Sequence, residues 1–532
     1  MCKKGLLLLE NYNCMLLLDG YNLTSKELYN LSISDSKIGI SDEAAGKVNK
    51  SFEFLKSVYS NLNLYGINTG LGPMAQVPIS EDKLVELQYN LVRSHTSGFP
   101  NYLDNSNCKA VFVSRLNSLI RGHSSVSADL VNHMVDMYNN EIIPCIPVHG
   151  GVGASGDLVQ LAHLALAVIG EGTVYFEGCE MPASEAYSVT NLQPSKLVLR
   201  EGLALINGTS AMTGVAALNI VNATAALEWM LIFSVMINEV MEAFDDHLSA
   251  ELNAVKKHAG QAEIARHARE ILKGSQLIRV RNNHWDKEQS DNFFKEKVQE
   301  YYSLRCIPQI LGPVYDTLSS AANVIDNELN STSDNPIIDF ESENIFHGGN
   351  FHGDYISLEM DKLKLVMTRL SMLSERQLNY LLNNRLNEKL PSFINLQTLG
   401  LNFGLQGLQF TATSTTSENQ TLSTSSYIHS ISSNHDNQDI VSMGFNSACL
   451  ASRIIENTFE VIAIEAVAVL QAVDALNVKT RLSDYNLRVY NELRTVFPVI
   501  TNDRPTSLEL GALKNYLKSN GKGFIEFNAL SN

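Results

Sequence analysis

The chain is 532 residues long with 45% hydrophobic and 18% charged side chains, the balance of a globular protein able to bury a large core. Its formal net charge is −17, and its lysines and arginines form no run longer than pairs such as Lys256-Lys257, so nucleic acid and anionic membranes are poor partners. The seven cysteines (Cys2, Cys14, Cys108, Cys145, Cys179, Cys306 and Cys449) are scattered and contain no Cys-x-x-Cys pair, which suits a reducing cytoplasm and argues against zinc.

In chain order, residues 1–20 read as a lead without chemistry. Lys3-Lys4 and Gly5-Leu6-Leu7-Leu8-Leu9 resemble the start of a signal peptide, but Glu10 and Asn11 cut the apolar run short, and Met15 offers an alternative start. Residues 41–59 have helical spacing, and Leu64-Tyr65-Gly66-Ile67-Asn68-Thr69-Gly70-Leu71-Gly72 is a glycine-punctuated loop, free to move and with Tyr65 exposed. Helices are expected over 81–94 and 108–119, then a glycine-dense elbow, His149-Gly150-Gly151-Val152-Gly153-Ala154-Ser155-Gly156-Asp157, opens a helix carrying Leu158, Leu161, Leu164, Ala165 and Val168. Residues 174–182 are the most strand-like, as a hairpin. Beyond Pro194 the pattern is long helices: 210–244, 317–329, 355–384 and 445–476, the last with Ile454, Ile455, Phe459, Ile462, Ala463 and Ala466 at helical spacing. Residues 213–227 carry no charge, yet Asn219, Asn222 and Thr224 point to a buried core helix rather than a membrane span. The expected division is a lead (1–20), an N-terminal region with the Tyr loop and elbow (21–205), a central long-helix bundle (206–480) and C-terminal helices (481–532).

The elbow carries the chemistry. The amide nitrogen of Gly156, with no Cβ beside it, can attack the carbonyl carbon of Ala154, and the neighbouring glycines permit the compressed turn this requires. Loss of one water closes a five-membered ring, and loss of a second from Ser155 leaves an exocyclic methylidene, a soft electrophile no ordinary side chain supplies. The following helix would set its positive dipole end under the ring. An Ala-Ser-Gly tripeptide alone is a weak signal, and Gly151-x-Gly153-x-x-Gly156 also mimics a dinucleotide fingerprint, with Glu177 after Thr173-Val174-Tyr175-Phe176 as its ribose ligand. Against that rival, the first strand it needs, residues 142–148, contains Pro144 and Pro147, which a central parallel strand does not tolerate. Glu242, Asp245, Asp246 and His247, or His347 and His352, lack a recognisable metal-ligand spacing and read better as solvated faces or loop histidines.

A series of motifs then falls in one order: Tyr65-Gly66-Ile67-Asn68-Thr69-Gly70, Leu91-Val92-Arg93-Ser94-His95, Ala154-Ser155-Gly156, Glu201-Gly202-Leu203-Ala204-Leu205-Ile206-Asn207-Gly208-Thr209, Tyr302-Ser303-Leu304-Arg305-Cys306, Asp334-Asn335-Pro336, Gly348-Gly349-Asn350-Phe351-His352-Gly353 and Asn437-Gln438-Asp439. On these the chain resembles the aromatic amino acid ammonia-lyase family, over residues 40–490, and within it bacterial tyrosine ammonia-lyases most. The resemblance implies an all-α, long-helix bundle of the ammonia-lyase (fumarase/aspartase-like) type, with a smaller N-terminal mixed region carrying the elbow. It also implies a homotetramer whose active sites mix loops from three subunits, a 4-methylidene-imidazol-5-one cofactor formed from Ala154, Ser155 and Gly156, and no external cofactor or metal.

The roles it implies fit what elimination of ammonia needs: removal of a weakly acidic β-proton and expulsion of a poor leaving group. Tyr65 would be the base on a loop that closes over substrate. Arg305 would clamp the carboxylate with two parallel donors. Asn207 and Gln299 would bond the ring oxygen and the carboxylate, Tyr302 and the backbone at Gly72 would help shuttle the amine proton, and Phe351 would stack on the ring.

Substrate choice rests on three positions. Ser94-His95 would meet the far end of the substrate, and a histidine can bond a phenol as readily as an imidazole. A bare phenyl ring would leave it unsatisfied, so phenylalanine should be a poor substrate. Gln438 stands where histidine lyases carry Glu, and Asn434 departs from the Glu of plant phenylalanine lyases. Together they favour L-tyrosine as substrate and trans-4-coumarate as product, with a histidine lyase (urocanate) or a tyrosine 2,3-aminomutase sharing nearly every residue named. From other classes, a dinucleotide-binding protein and a helical scaffold with a dead site remain as rivals.

Overall fold

The computed structural model describes residues 15–284 and 297–527. About 59% of it is helical, and among the described residues there are 19 α-helices with only short strands, so the fold is all-α. Two compact units are interleaved in sequence. One holds the chain up to Val221 with Ala322–Met360 and Ser425–Cys449, and the other holds Asn222–Ala321, Asp361–Thr424 and the chain from Leu450. Four of the five boundaries fall inside long helices, Ser210–Val240, Ile307–Leu329, Asp354–Leu382 and Gly444–Leu476, and the fifth, between Thr424 and Ser425, follows the end of the helix Gln406–Leu422.

The helices of the first unit begin where polar caps allow. Ser41 accepts from the Ala44 amide to open Asp42–Val58, Asp104 from that of Asn107 to open Asn105–Leu119, and Ser127 from that of Leu130 to open Ala128–Asn139. Every residue from Cys108 to Leu119 is buried, which makes that helix the centre of the unit. Leu16–Leu18, within the stretch read as a lead, pairs in parallel with Ile38–Ile40; residues 1–14 lie outside the described structure. The expected hairpin forms from Thr173–Phe176 and Cys179–Pro182, joined by the two-residue strand Ile143–Pro144. That strand is antiparallel and lies at the sheet's edge, where Pro144 costs no ladder bond, so the dinucleotide reading loses the central parallel strand it requires.

A buried ion pair ties three segments of this unit together. Arg200 bonds both carboxylate oxygens of Asp334 at 3.0 and 3.1 Å, and also the carbonyls of Ser124 and Asn335, with both partners wholly inaccessible. Asp334→Ala would leave the guanidinium buried and unpaired, and we expect a loss of about 3–5 kcal/mol in urea unfolding; a loss under about 1 kcal/mol would contradict this.

In the second unit, Glu228 accepts from the backbone amides of Lys522, Gly523 and Ile525, and the Trp229 indole donates to the Leu517 carbonyl at 2.8 Å. Glu239 meets the Ser483 and Asn486 amide groups, so the C-terminal helices Asp484–Val496 and Ser507–Ser519 are fastened by polar contacts as well as apolar ones. Ile307–Leu329 starts ten residues before the expected 317, and Gly312-Pro313 lies inside it. Gln406–Leu422 was not expected: its Thr- and Ser-rich sequence buries only Ala412, Thr416 and Asn419, too few for a legible stripe. Ser210–Val240 is long and apolar enough to cross a membrane, but 89% of its most apolar window is buried inside the protein.

Candidate functional site

The elbow is held in a strained shape by hydrogen bonds from distant segments of the first unit. Met443 donates its amide to the Val152 carbonyl at 3.0 Å, and Gly353 and Ser442 Oγ donate to that of Gly153 at 3.0 and 3.1 Å. Gly156 has φ +72° and forms a parallel bridge with Gly208, whose carbonyl also accepts from the Asp157 amide at 2.8 Å. A Cβ on Gly156 would lie 2.0 Å from the Gly208 oxygen, so no other residue fits. The helix Leu158–Val168 begins directly afterwards. The residues at 154–156 therefore fit the ring: a left-handed glycine nitrogen, a buried alanine carbonyl, and a serine within reach of two side-chain donors.

Those donors are Asn207, whose Nδ2 donates to the Ser155 carbonyl at 2.9 Å, and Gln438, whose Nε2 donates to Ser155 Oγ at 3.0 Å. Ser155 opens into a cavity of about 640 Å³ that Tyr65, Gly72, Ser94, His95, Asn207, Phe351, Asn434 and Gln438 also line. Tyr65 is half-buried rather than exposed, and its hydroxyl oxygen accepts from the Gly72 amide at 2.9 Å. The loop that carries it is tied down internally, with Asn68 bonded to Leu64 and to the carbonyls of Tyr59 and Leu62.

On the helix Leu84–His95 the i, i+4 spacing stacks Leu87, Leu91 and His95 toward the cavity, beside Ser94. His95 Nδ1 lies 2.9 Å from the Leu91 carbonyl. A carbonyl only accepts, so Nδ1 carries the proton and Nε2 of the neutral ring is an acceptor. The walls are otherwise mostly apolar, from Leu71, Met74, Val77, Ile79, Leu87, Leu91, Leu158, Leu203 and Ile206, to none of which the sequence had assigned a place in the site. Asn434, His435 and Asp436 are consecutive residues in the left-handed region, φ +56°, +54° and +58°, in a loop closed by a bridge between Ser433 and Gln438. That turn lays Asn434 against Gly72, where a Cβ would come within 2.9 Å of Asn434 Nδ2.

Asp157 was expected only as the start of a helix, but its side chain does not cap that helix. It accepts from the Met212 amide at 2.8 Å through Oδ2, while Oδ1 has no partner. Burial pushes its carboxyl up to about 7. A carboxyl raised in the folded state favours the protonated form, so its contribution is complete below the unfolded value near ~4 and lost as pH rises through about 7. Relative to Asp157→Asn, the wild type should therefore lose stability between those limits, read by urea unfolding of both proteins across the window; a difference that stays flat with pH would refute it.

Gln299, Tyr302 and Arg305 are not among the residues lining the Ser155 cavity. They lie in the second unit, where Arg305 bonds Gln299 Oε1 and its guanidinium sits 4.6 Å from the Tyr302 ring centre. Gln299 and Arg305 line a separate recess of about 220 Å³ with Asp246 and His247. The ring-forming, base and far-end residues expected from the sequence thus line one cavity of the first unit, and Gln299, Tyr302 and Arg305 belong to the second. The acidic residues considered for a metal are engaged otherwise: Glu242 pairs with Lys389 and Arg481, and Asp246 with Arg281.

The family model described as "Aromatic amino acid lyase" matches residues 23–495. A histidine ammonia-lyase of Bacillus velezensis is 36% identical over 506 residues, 95% of this chain and 96% of that protein. The MIO-dependent tyrosine 2,3-aminomutase of Streptomyces globisporus is 36% identical over 495 residues, 91% and 92% of the two chains. The crystal structure of tyrosine aminomutase from Streptomyces globisporus superposes with a TM-score of 0.92 at 33% identity, covering 97% of this chain and all of that one.

Proposed function

Because the chain belongs to the aromatic amino acid lyase family, we propose that it eliminates ammonia from L-tyrosine to give trans-4-coumarate. The observation that carries the tyrosine reading is His95: an acceptor nitrogen at the end of a mostly apolar cavity. A phenol hydroxyl would donate to Nε2 while its ring fills the apolar walls, whereas a bare phenyl leaves the acceptor unsatisfied. An imidazole would also donate to Nε2, but among the residues lining the cavity Gln438 and its neighbours supply no carboxylate to pair with its second nitrogen.

The family's 4-methylidene-imidazol-5-one, formed here from Ala154, Ser155 and Gly156, supplies an electrophile that turns the substrate amine into a better leaving group. Asn207 Nδ2 holds the oxygen of residue 155, where negative charge is to be stabilised. Tyr65, its oxygen already anchored by the Gly72 amide, takes the β-proton. Phe351 closes the cavity wall, and Asn434 and Gln438 flank the amine end. Arg305, with Tyr302 and Gln299, would reach the substrate carboxylate from a neighbouring copy in a homotetramer.

The test is to incubate purified protein with L-tyrosine, L-histidine and L-phenylalanine separately and follow the ultraviolet absorbance of each unsaturated acid. Growth of 4-coumarate supports the reading, and urocanate in its place would overturn the tyrosine assignment. The likeness to the Streptomyces globisporus enzyme favours a second reading, tyrosine 2,3-aminomutation, for which β-tyrosine accumulates with little free ammonia.

A further inference from the structure

None of the steps above uses His352, yet it touches an atom that reacts when the ring is made. The backbone after Phe351 is bonded onto the elbow: the His352 amide donates to the Gly349 carbonyl at 2.9 Å and the Gly353 amide to that of Gly153 at 3.0 Å. Gly353 is pressed so closely against Met212 and Ser442 that a Cβ would come within 2.5 Å of Met212 Cε. Thus clamped, Phe351 faces the substrate cavity, while His352 faces a different one, of about 570 Å³, shared with Arg121, His123, Glu328 and Asp354. His352 Nδ1 lies 3.4 Å from the Ala154 carbonyl oxygen, and its Nε2 lies 3.5 Å from Asp354 Oδ2. Both neighbours only accept, so the imidazolium, with a proton on each nitrogen, is the form that serves both.

We propose that His352, oriented by Asp354, is the acid that closes the ring, donating its Nδ1 proton to the Ala154 oxygen as the Gly156 nitrogen bonds to the Ala154 carbon. The inference rests on the ring reading of Ala154-Ser155-Gly156 but not on the identity of the substrate. The electron pair of the carbonyl moves onto the oxygen, which takes the imidazolium proton. The proton shed by the Gly156 nitrogen passes to solvent, from which the imidazole is recharged. The new hydroxyl then leaves as water with the proton of the Ser155 nitrogen, forming a double bond between that nitrogen and the Ala154 carbon. A second water carries off the Ser155 hydroxyl with its Cα proton, and no oxidant or reductant is required. His352 retains 27% side-chain exposure, so solvent can both supply the proton and receive the water. The two contacts are long in the uncyclised chain, and charge growing on the oxygen would shorten them.

The experiment is timed synthesis of wild type, His352→Leu, His352→Gln and Asp354→Asn, followed by digestion and mass spectrometry of the peptide carrying residues 154–156. Circular dichroism of each protein reports folding. The readout is the fraction of peptide that has lost two waters. The expected result is a rate roughly tenfold or more below wild type for His352→Leu, an intermediate rate for His352→Gln, which still donates a hydrogen bond but no proton, and a smaller slowing for Asp354→Asn. Either His352 variant losing water at the wild-type rate overturns the proposal. If His352→Leu fails to fold, His352→Gln decides alone on the same criterion. A wild type that keeps both waters overturns the proposal together with the ring reading, whereas dehydration at equal rates overturns the role of His352 alone.

Discussion

Ser155→Ala should yield a folded protein that turns substrate over on the order of 10⁴-fold more slowly, or not measurably. Enzymes of this kind owe at least about 10⁶-fold to their catalytic apparatus, and removing the electrophile takes away the covalent part of it. The hydroxyl accepts from Gln438 Nε2 in an open cavity, so stability should move by less than about 1 kcal/mol. The Asn207 bond goes to the backbone carbonyl of residue 155 and survives the substitution. Product absorbance, peptide mass and thermal unfolding are measured on the same preparation. Substantial activity in this variant would sink the self-made electrophile, since alanine has no hydroxyl to lose and so cannot form the methylidene.

Tyr65→Phe tests the base. Only one oxygen is removed, and the Gly72 amide that donates to it at 2.9 Å loses its acceptor, for about 1 kcal/mol of stability. If the phenol takes the β-proton, kcat should fall about 10²- to 10⁴-fold while KM moves little, because a ring of the same shape still lines the cavity. The ring should form normally, and its mass signature separates this variant from Ser155→Ala. A fall in kcat smaller than about threefold would assign the proton to another group.

The long helices and the elbow were legible because each rests on local regularity. Periodicity runs unbroken through 445–476, and the cluster of glycines around Ala154 needs no partner to be recognised. What was not legible depends on contacts between distant segments. The helix over 307–329 continues through Pro313, and the polar surface of 406–422 hides a helix that buries three small residues. In the site, Tyr65, Asn207 and Gln438 came from motif resemblance rather than from spacing, since nothing along the chain shows that residue 438 reaches residue 155. Asp157 opens its helix as expected, but that its carboxylate turns away to bond the Met212 amide is likewise not visible along the chain. Arg305 marks the remaining gap, because one chain holds it among Gln299 and Tyr302 in the second unit.

The bridge between Gly156 and Gly208, with the bonds from Gly353, Ser442 and Met443 onto the elbow, means that the reactive group cannot be assembled before segments about 50 to 290 positions apart have met. The finished ring is thus a permanent receipt for correct folding. A misfolded molecule would carry an ordinary serine, and a matured one that later unfolds would keep its mark. In a preparation from any host, the proportion of polypeptide bearing the modification counts how many molecules ever reached the native arrangement, a census that spectroscopy of the surviving sample cannot take.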